Sequence, residues 1–300
     1  MRHAMTRLLA VPTVLSFMII ASSAQQEQSD EQLTKQRFEN HIDHIREELP
    51  KAWREDWKQY ILDAYPNTDR SVLNNIDIVA NDDYCDIQPR TLTNGEKYTI
   101  EFGEPALTAF FISSQPMFSY MIGEVYFSLE ELQDFYIKEA HRTVNLTRKV
   151  CANANRRKNS QEFKNVLMQS MPIWLSMDST AYYAMQNHLY NDEESRRMGD
   201  LFGIGILFVV MHEAGHVLGA RTEIEADTFA KTVLDRQGLS SSFAVPYLAQ
   251  NEGFSCRVQK IININDTRSM LIRLGMENYV ENSVRFLHDA RTASFRACPG

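Results

Sequence analysis

The chain has 300 residues, 44% of them hydrophobic, and a formal charge of −8 from 31 Lys and Arg against 39 Asp and Glu. That length can bury a substantial core in one large domain, or in one domain with an appendage. The acidic balance argues against nucleic acid or an anionic membrane as the main partner.

Residues 1–24 have the form of a secretory signal, with Arg2 and Arg7 ahead of a mainly apolar stretch from Leu8 to Ala21 and small residues Ser22, Ser23 and Ala24 before Gln25. An uncleaved anchor is the alternative, but the stretch is short for a bilayer span. No cysteine lies near the cleavage point, which disfavours a lipoprotein. Without these residues two arginines and no acids are lost, and the charge becomes −10. The expected location is a periplasm or the extracellular space, with no stable membrane insertion. Cys85, Cys151, Cys256 and Cys298 all lie beyond the signal. Four cysteines in an exported chain imply two disulfides with three possible pairings, and sequence order favours Cys85–Cys151 and Cys256–Cys298.

Residues 25–70 read as an N-terminal helical segment and 71–300 as the main domain. Phe38, Ile42, Ile45 and Leu49 recur at helical spacing from a start near Asp30 until Pro50, which should break or restart the helix. Trp53, Trp57, Tyr60 and Ile61 form a second stripe, read as core or docking surface. His41 and His44 lack acids or cysteines to complete a metal site and are expected on an exposed face. Residues 76–103 read as strands, with Ile76, Ile78 and Ala80 alternating, a turn at Asn94-Gly95, and Tyr98, Ile100 and Phe102 alternating. Leu107 to Ile112 is expected to be another strand. Asp82, Asp83 and Asp86 do not have the spacing of a calcium loop.

Ser128 with Glu131 predicts a capped helix from Leu129 to Thr143. Asn153 to Ser160 reads as an exposed loop, Phe163 to Met171 as a helix ended by Pro172, and Thr180 to Tyr190 as another helix. The acids from Asp192 suit a helix start. If that helix runs unbroken to Leu218 it is long, and Gly203 and Gly205 mark a bend or a close helix approach. The chain is expected to be loop-like from Gly238 to about Cys256, then helical from Thr267 to Arg291 with a possible break at Gly275. The predicted class is α+β, mostly helical with a small sheet.

The chemistry concentrates in His212-Glu213-Ala214-Gly215-His216. Histidines four apart share one helix face, and neutral imidazoles on adjacent turns can converge on one zinc ion. Glu213 points about 100° away, beside the metal, where it can take a proton from an attacking water. The flank from Leu201 to Met211 is apolar almost all round, as a buried helix requires, and Gly219 suits its end. Thr222 opens a second amphipathic helix with Ala226, Phe229, Ala230, Val233 and Leu234 on one side. Glu223 borders that face and is the best third ligand. Asp227 shares its side and suits an acceptor that orients a ligand imidazole. Glu225 falls off the face. The alternative for Glu223 and Asp227 is solvated helix charge.

HEAGH followed by Glu223-x-x-Ala226-Asp227 resembles the gluzincin metallopeptidases, and the stretch from Phe208 to His216 resembles a group of secreted metallopeptidases of unassigned substrate. The resemblance covers about Leu201 to Leu234. It implies a zincin-like fold with a small mixed or antiparallel sheet, with Zn²⁺ on His212, His216 and Glu223. It also implies Glu213 as catalytic base, Asp227 as the supporting acid and a peptide or protein as substrate. A sheet edge in such a fold holds an extended peptide by β-augmentation. Tyr279 and His288 are the candidates for an extra transition-state donor, though nothing local brings them to the metal. The competing readings are a zinc-binding module without activity, and a structural protein with hydrogen-bonded core histidines.

Overall fold

The computed structural model describes residues 30–297 except 82, 122, 124–127, 152–155, 190–191 and 250–253. The signal, Asp82 and Cys298 lie outside the described residues. The chain begins with α1 (Asp30–Ala52), a π-helical turn (Trp53–Trp57), α2 (Lys58–Ala64) and α3 (Arg70–Asn74). Three strands follow: β1 (Ile76–Asn81), β2 (Arg90–Asn94) and β3 (Lys97–Gly103). The remainder is helical: α4 (Glu104–Met121), α5 (Leu129–Cys151), α6 (Arg156–Trp174), α7 (Ser179–Leu189), α8 (Asp192–Val217), α9 (Glu223–Arg236), the short α10 (Val245–Leu248), α11 (Phe254–Ile261), α12 (Ile264–Arg273) and α13 (Val280–Ala297). At this level the fold is α+β, mostly helical, with a small mixed sheet.

The sheet order is β1-β3-β2, with β1 parallel and β2 antiparallel to β3. Asn94 pairs with Lys97, so Gly95 and Glu96 make the two-residue turn, and Gly95 at φ 66° supplies the left-handed backbone such hairpins need. The alternating Tyr98, Ile100 and Phe102 lie on the central strand, where Ile100 and Phe102 are buried. One core runs from Ile42 on α1 to Leu287 on α13. Trp53, Trp57, Tyr60 and Ile61 all belong to it, and Trp53 Nε1 donates to the Ile76 carbonyl at 2.7 Å, tying the first helices to β1.

Several expectations are corrected. Leu107 to Ile112 is not a strand but the interior of α4, buried on every side. An apolar run without period fits either state, and here length decided for helix. Pro50 does not end α1; the helix continues to Ala52 and passes directly into a π-helical turn. Pro172 lies inside α6, which runs to Trp174, and residues 156–160 of the expected loop are its first turns. Between Gly238 and Cys256 the chain is largely ordered, as a 3-10 turn (Ser241–Ala244), α10 and the start of α11. Ser240 and Ser241 read as loop residues, but their hydroxyls are buried and partnered: Ser240 with Thr267 at 2.7 Å, Ser241 with the Ile261 carbonyl at 2.6 Å. His41 is not exposed; it is 7% accessible, with its ring 4.6 Å from that of Phe111.

Other expectations stand. Ser128 and Glu131 exchange the two capping bonds of α5. The helix after Asn263 breaks at Gly275, φ 70°. Cys85 and Cys151 form a disulfide between the β1–β2 connection and the end of α5, and Cys256 is also disulfide-bonded. Helix α8 is unbroken for 26 residues. Its stretch Arg196–Val217 has the length and apolarity to cross a bilayer, but 83% of its most apolar window is buried inside the protein. Gly205 marks the close approach: a Cβ there would sit 2.6 Å from Phe110 Cζ and 2.8 Å from the Phe243 carbonyl oxygen.

Candidate metal centre

The last two turns of α8 carry His212 and His216 toward α9. Two local features bring the helices together. A Cβ at Gly215 would lie 3.1 Å from Phe229 Cδ1, so the glycine lets α9 lie close. Gly219 has φ 109° and the Ala220 amide returns to the Gly215 carbonyl at 2.9 Å, which reverses the chain in four residues. Helix α9 then starts from a capping box: Thr222 accepts from the Glu225 amide, and Glu225 accepts from the Thr222 amide. This fixes Glu223 as the first residue of the helix and accounts for Glu225, which serves the cap and not the cluster.

His212 Nε2 and His216 Nε2 are 3.2 Å apart, with the rings nearly perpendicular at 83°. Glu223 Oε2 lies 3.2 Å from His212 Nε2, and Oε1 lies 3.5 Å from His216 Nε2. The three residues form the one group among the described residues whose donor atoms could share a metal ion. The Glu223 side chain is 60% exposed and that of His216 27%, so the cluster opens to solvent on the α9 side.

The far nitrogens assign the tautomers. His216 Nδ1 faces the Ala220 carbonyl at 3.1 Å, an acceptor, so that nitrogen carries the proton. His212 Nδ1 faces Asp227 Oδ1 at 2.8 Å and donates likewise. Both Nε2 atoms of the neutral rings therefore present lone pairs to each other and to a carboxylate. Such an arrangement calls for a cation between them, a proton or a metal. Burial works against the His212 imidazolium, but Asp227 and Glu223 outweigh it and raise its pKa; the same His212 contact holds Glu223 below the usual carboxylate range.

Asp227 is itself gripped. Its side chain is 2% exposed and takes a two-pronged contact from Arg257, Nε to Oδ2 at 2.7 Å and Nη2 to Oδ1 at 2.8 Å. Arg257 Nη1 also lies 3.1 Å from Glu223 Oε2. Burial raises the pKa of Asp227, yet Arg257 and His212 hold it below the ordinary value. Arg257 sits on α11 in no recognisable motif. The only sequence cue is a cation beside Val258 on the buried side of an amphipathic helix.

Glu213 is 8% accessible and points toward β2, where Thr91 Oγ1 donates to its Oε2 at 3.2 Å. Burial raises its pKa, opposed by the two histidines and Thr91. Tyr247, on α10, is buried, and its hydroxyl feels Glu213, Glu223 and Asp227, which with burial push its pKa well up. Neither Thr91 nor Tyr247 has a sequence signal. Tyr279 is instead buried with its hydroxyl against Arg197, and His288 is exposed beside Asp289.

No known protein-family model, curated protein or solved structure matches the chain.

Proposed function

We propose that the chain is an exported zinc metallopeptidase with a zincin-like arrangement, hydrolysing peptide bonds. One observation carries the reading: two imidazole lone pairs and a carboxylate converge at 3.2–3.5 Å, with both far nitrogens already committed. The edge of a tetrahedron with zinc–ligand bonds of ~2.0–2.1 Å is ~3.3–3.4 Å, so the donors need little movement to fit the ion.

His212, His216 and Glu223 would hold the metal, and Asp227 and Ala220 would orient the imidazoles. Bound there, zinc would supply Lewis-acid activation of a water and of the scissile carbonyl. Glu213 takes the proton as the water oxygen bonds to the carbonyl carbon. It delivers that proton to the leaving nitrogen as the C–N bond breaks. The Thr91 hydroxyl holds one Glu213 oxygen and leaves the other for the proton. Tyr247 is buried, and burial together with the nearby acids keeps its phenol neutral.

Strand β2 offers the place for substrate. It pairs only with β3 among the described strands, and its Thr91 touches the catalytic glutamate. An extended peptide added along this edge would run beside Glu213, held by backbone hydrogen bonds. The test is digestion of a broad peptide library with and without a chelator. Cleavage lost on chelation and restored by zinc supports the reading. Stoichiometric zinc with no cleavage of any peptide would leave a binding module instead.

A further inference from the structure

The groups behind the histidines close into a ring. His212 Nδ1 donates to Asp227 Oδ1 at 2.8 Å, and Arg257 donates to both Asp227 oxygens at 2.7 and 2.8 Å. The remaining guanidinium nitrogen, Nη1, lies 3.1 Å from Glu223 Oε2, and that same oxygen is 3.2 Å from His212 Nε2. One guanidinium therefore joins the acid that orients the first imidazole to the carboxylate that completes the cluster.

Glu223 is the member of the ring that needs holding. It is the first residue of α9, and its side chain is 60% exposed. Among the described residues its carboxylate meets only the two imidazoles and Arg257. The imidazoles turn lone pairs toward it, so Arg257 supplies the fixed positive charge. A glutamate left free in solvent and then frozen on a metal would lose about ten- to thirtyfold in affinity to rotamer entropy alone. A side chain already held in place avoids most of that loss.

Arg257 can hold it because Arg257 cannot move. Its side chain is 5% exposed, the following Val258 and the nearby Ile261 have no accessible surface, and the preceding Cys256 is disulfide-bonded. Helix α11, which carries these residues, packs against both α9 and α13. The planar fork of an arginine suits a two-pronged grip on one acid with a nitrogen left over for another; a lysine ammonium is a single point of charge. Repulsion between the guanidinium and a bound cation acts in the opposite direction. Asp227 already neutralises the guanidinium, so the fixing of Glu223 decides the sign. We propose that Arg257 is a positioning residue that sets Glu223 in place for zinc, which makes α11, with α8 and α9, a determinant of metal affinity. The inference rests on the reading of His212, His216 and Glu223 as zinc ligands, and does not depend on peptide hydrolysis.

Zinc affinity, measured by competition with a chromophoric chelator, tests it, with the metal-free fold of each variant checked by urea denaturation. Arg257→Leu should weaken zinc binding by about ten- to a hundredfold. Arg257→Lys keeps a charge beside Asp227 and loses the fork; it should weaken zinc by about tenfold and carries the test if the leucine variant does not fold. In a Glu223→Ala chain the same change at Arg257 should weaken zinc by no more than about threefold, because the side chain it positions is gone. A merely structural role for Arg257 would give the same loss in both backgrounds. Folded Arg257 variants that bind zinc as tightly as the native chain, or an equal loss with and without Glu223, overturn the proposal and leave the peptidase reading standing. A native chain that takes up no zinc overturns both. The expected affinities without cleavage of any peptide support the role of Arg257 and remove the peptidase reading alone.

Discussion

Replacing Arg257 by Leu tests how the site holds its acids. The guanidinium makes two contacts with Asp227 at 2.7 and 2.8 Å and a third with Glu223 at 3.1 Å. The Glu223 carboxylate is 60% exposed, so its loss costs under ~1 kcal/mol. Asp227 differs, because its side chain is 2% exposed and it would be left as a buried charge with one histidine for company. Breaking such a pair from one side costs about 3–5 kcal/mol. Asp227→Asn should cost a similar amount for the mirrored reason. The double variant should cost less than the sum by at least ~1 kcal/mol, because neither charge is then orphaned. Urea denaturation of the metal-free protein at pH 7 measures all three. With Arg257 gone the Asp227 pKa rises, so the Arg257→Leu deficit should shrink as pH falls and the acid is neutralised. A single variant within 1 kcal/mol of the native chain, or strict additivity, would refute the reasoning.

Glu213→Gln should retain the metal and lose at least ~10²–10⁴-fold in peptide hydrolysis, read as kcat with zinc content measured on the same sample. The two glycines of α8 should respond with opposite signs. Gly205→Ala would press on Phe110 and the Phe243 carbonyl and cost about 1–3 kcal/mol, while Gly203→Ala meets open space and should gain about 0.5–1 kcal/mol, both read by denaturation. Burial raises the Asp200 pKa from the ordinary 3.8 to about 6 in the folded chain. The native state therefore binds the extra proton between these values, and stability falls as pH rises through them. Asp200→Asn should stabilise the chain by about 1–3 kcal/mol at pH 7 and by little near pH 4, and an equal gain at both pH values would remove the burial argument.

What could be read from the sequence was what lies within one helical repeat. The two histidines are four residues apart, Glu223 and Asp227 are four apart, and the turn between the helices is capped by its own residues, so periodicity alone nearly assembled the cluster. The hairpin was legible for the same reason, with its turn and alternation both local. Leu107 to Ile112 misled because a helix buried on all sides has no polar face to mark its period. His41 misled because the ring that buries it, Phe111, comes from α4, seventy residues on. Arg257, Tyr247 and Thr91 reach the site from three other elements, and no spacing rule links a residue on α11 to an acid on α9. Such residues are found only when the fold brings them together, although a lone cation on an otherwise apolar helix face was a usable warning.

The central claim is that His212, His216 and Glu223 share one zinc ion, and metal content decides it most directly. Purified chain, dialysed free of loosely bound ions, should carry one zinc per chain. A variant with both histidines replaced by alanine should carry none while keeping its helical content. A native chain without stoichiometric zinc after reconstitution, or a double variant that binds zinc as the native chain does, would contradict the account.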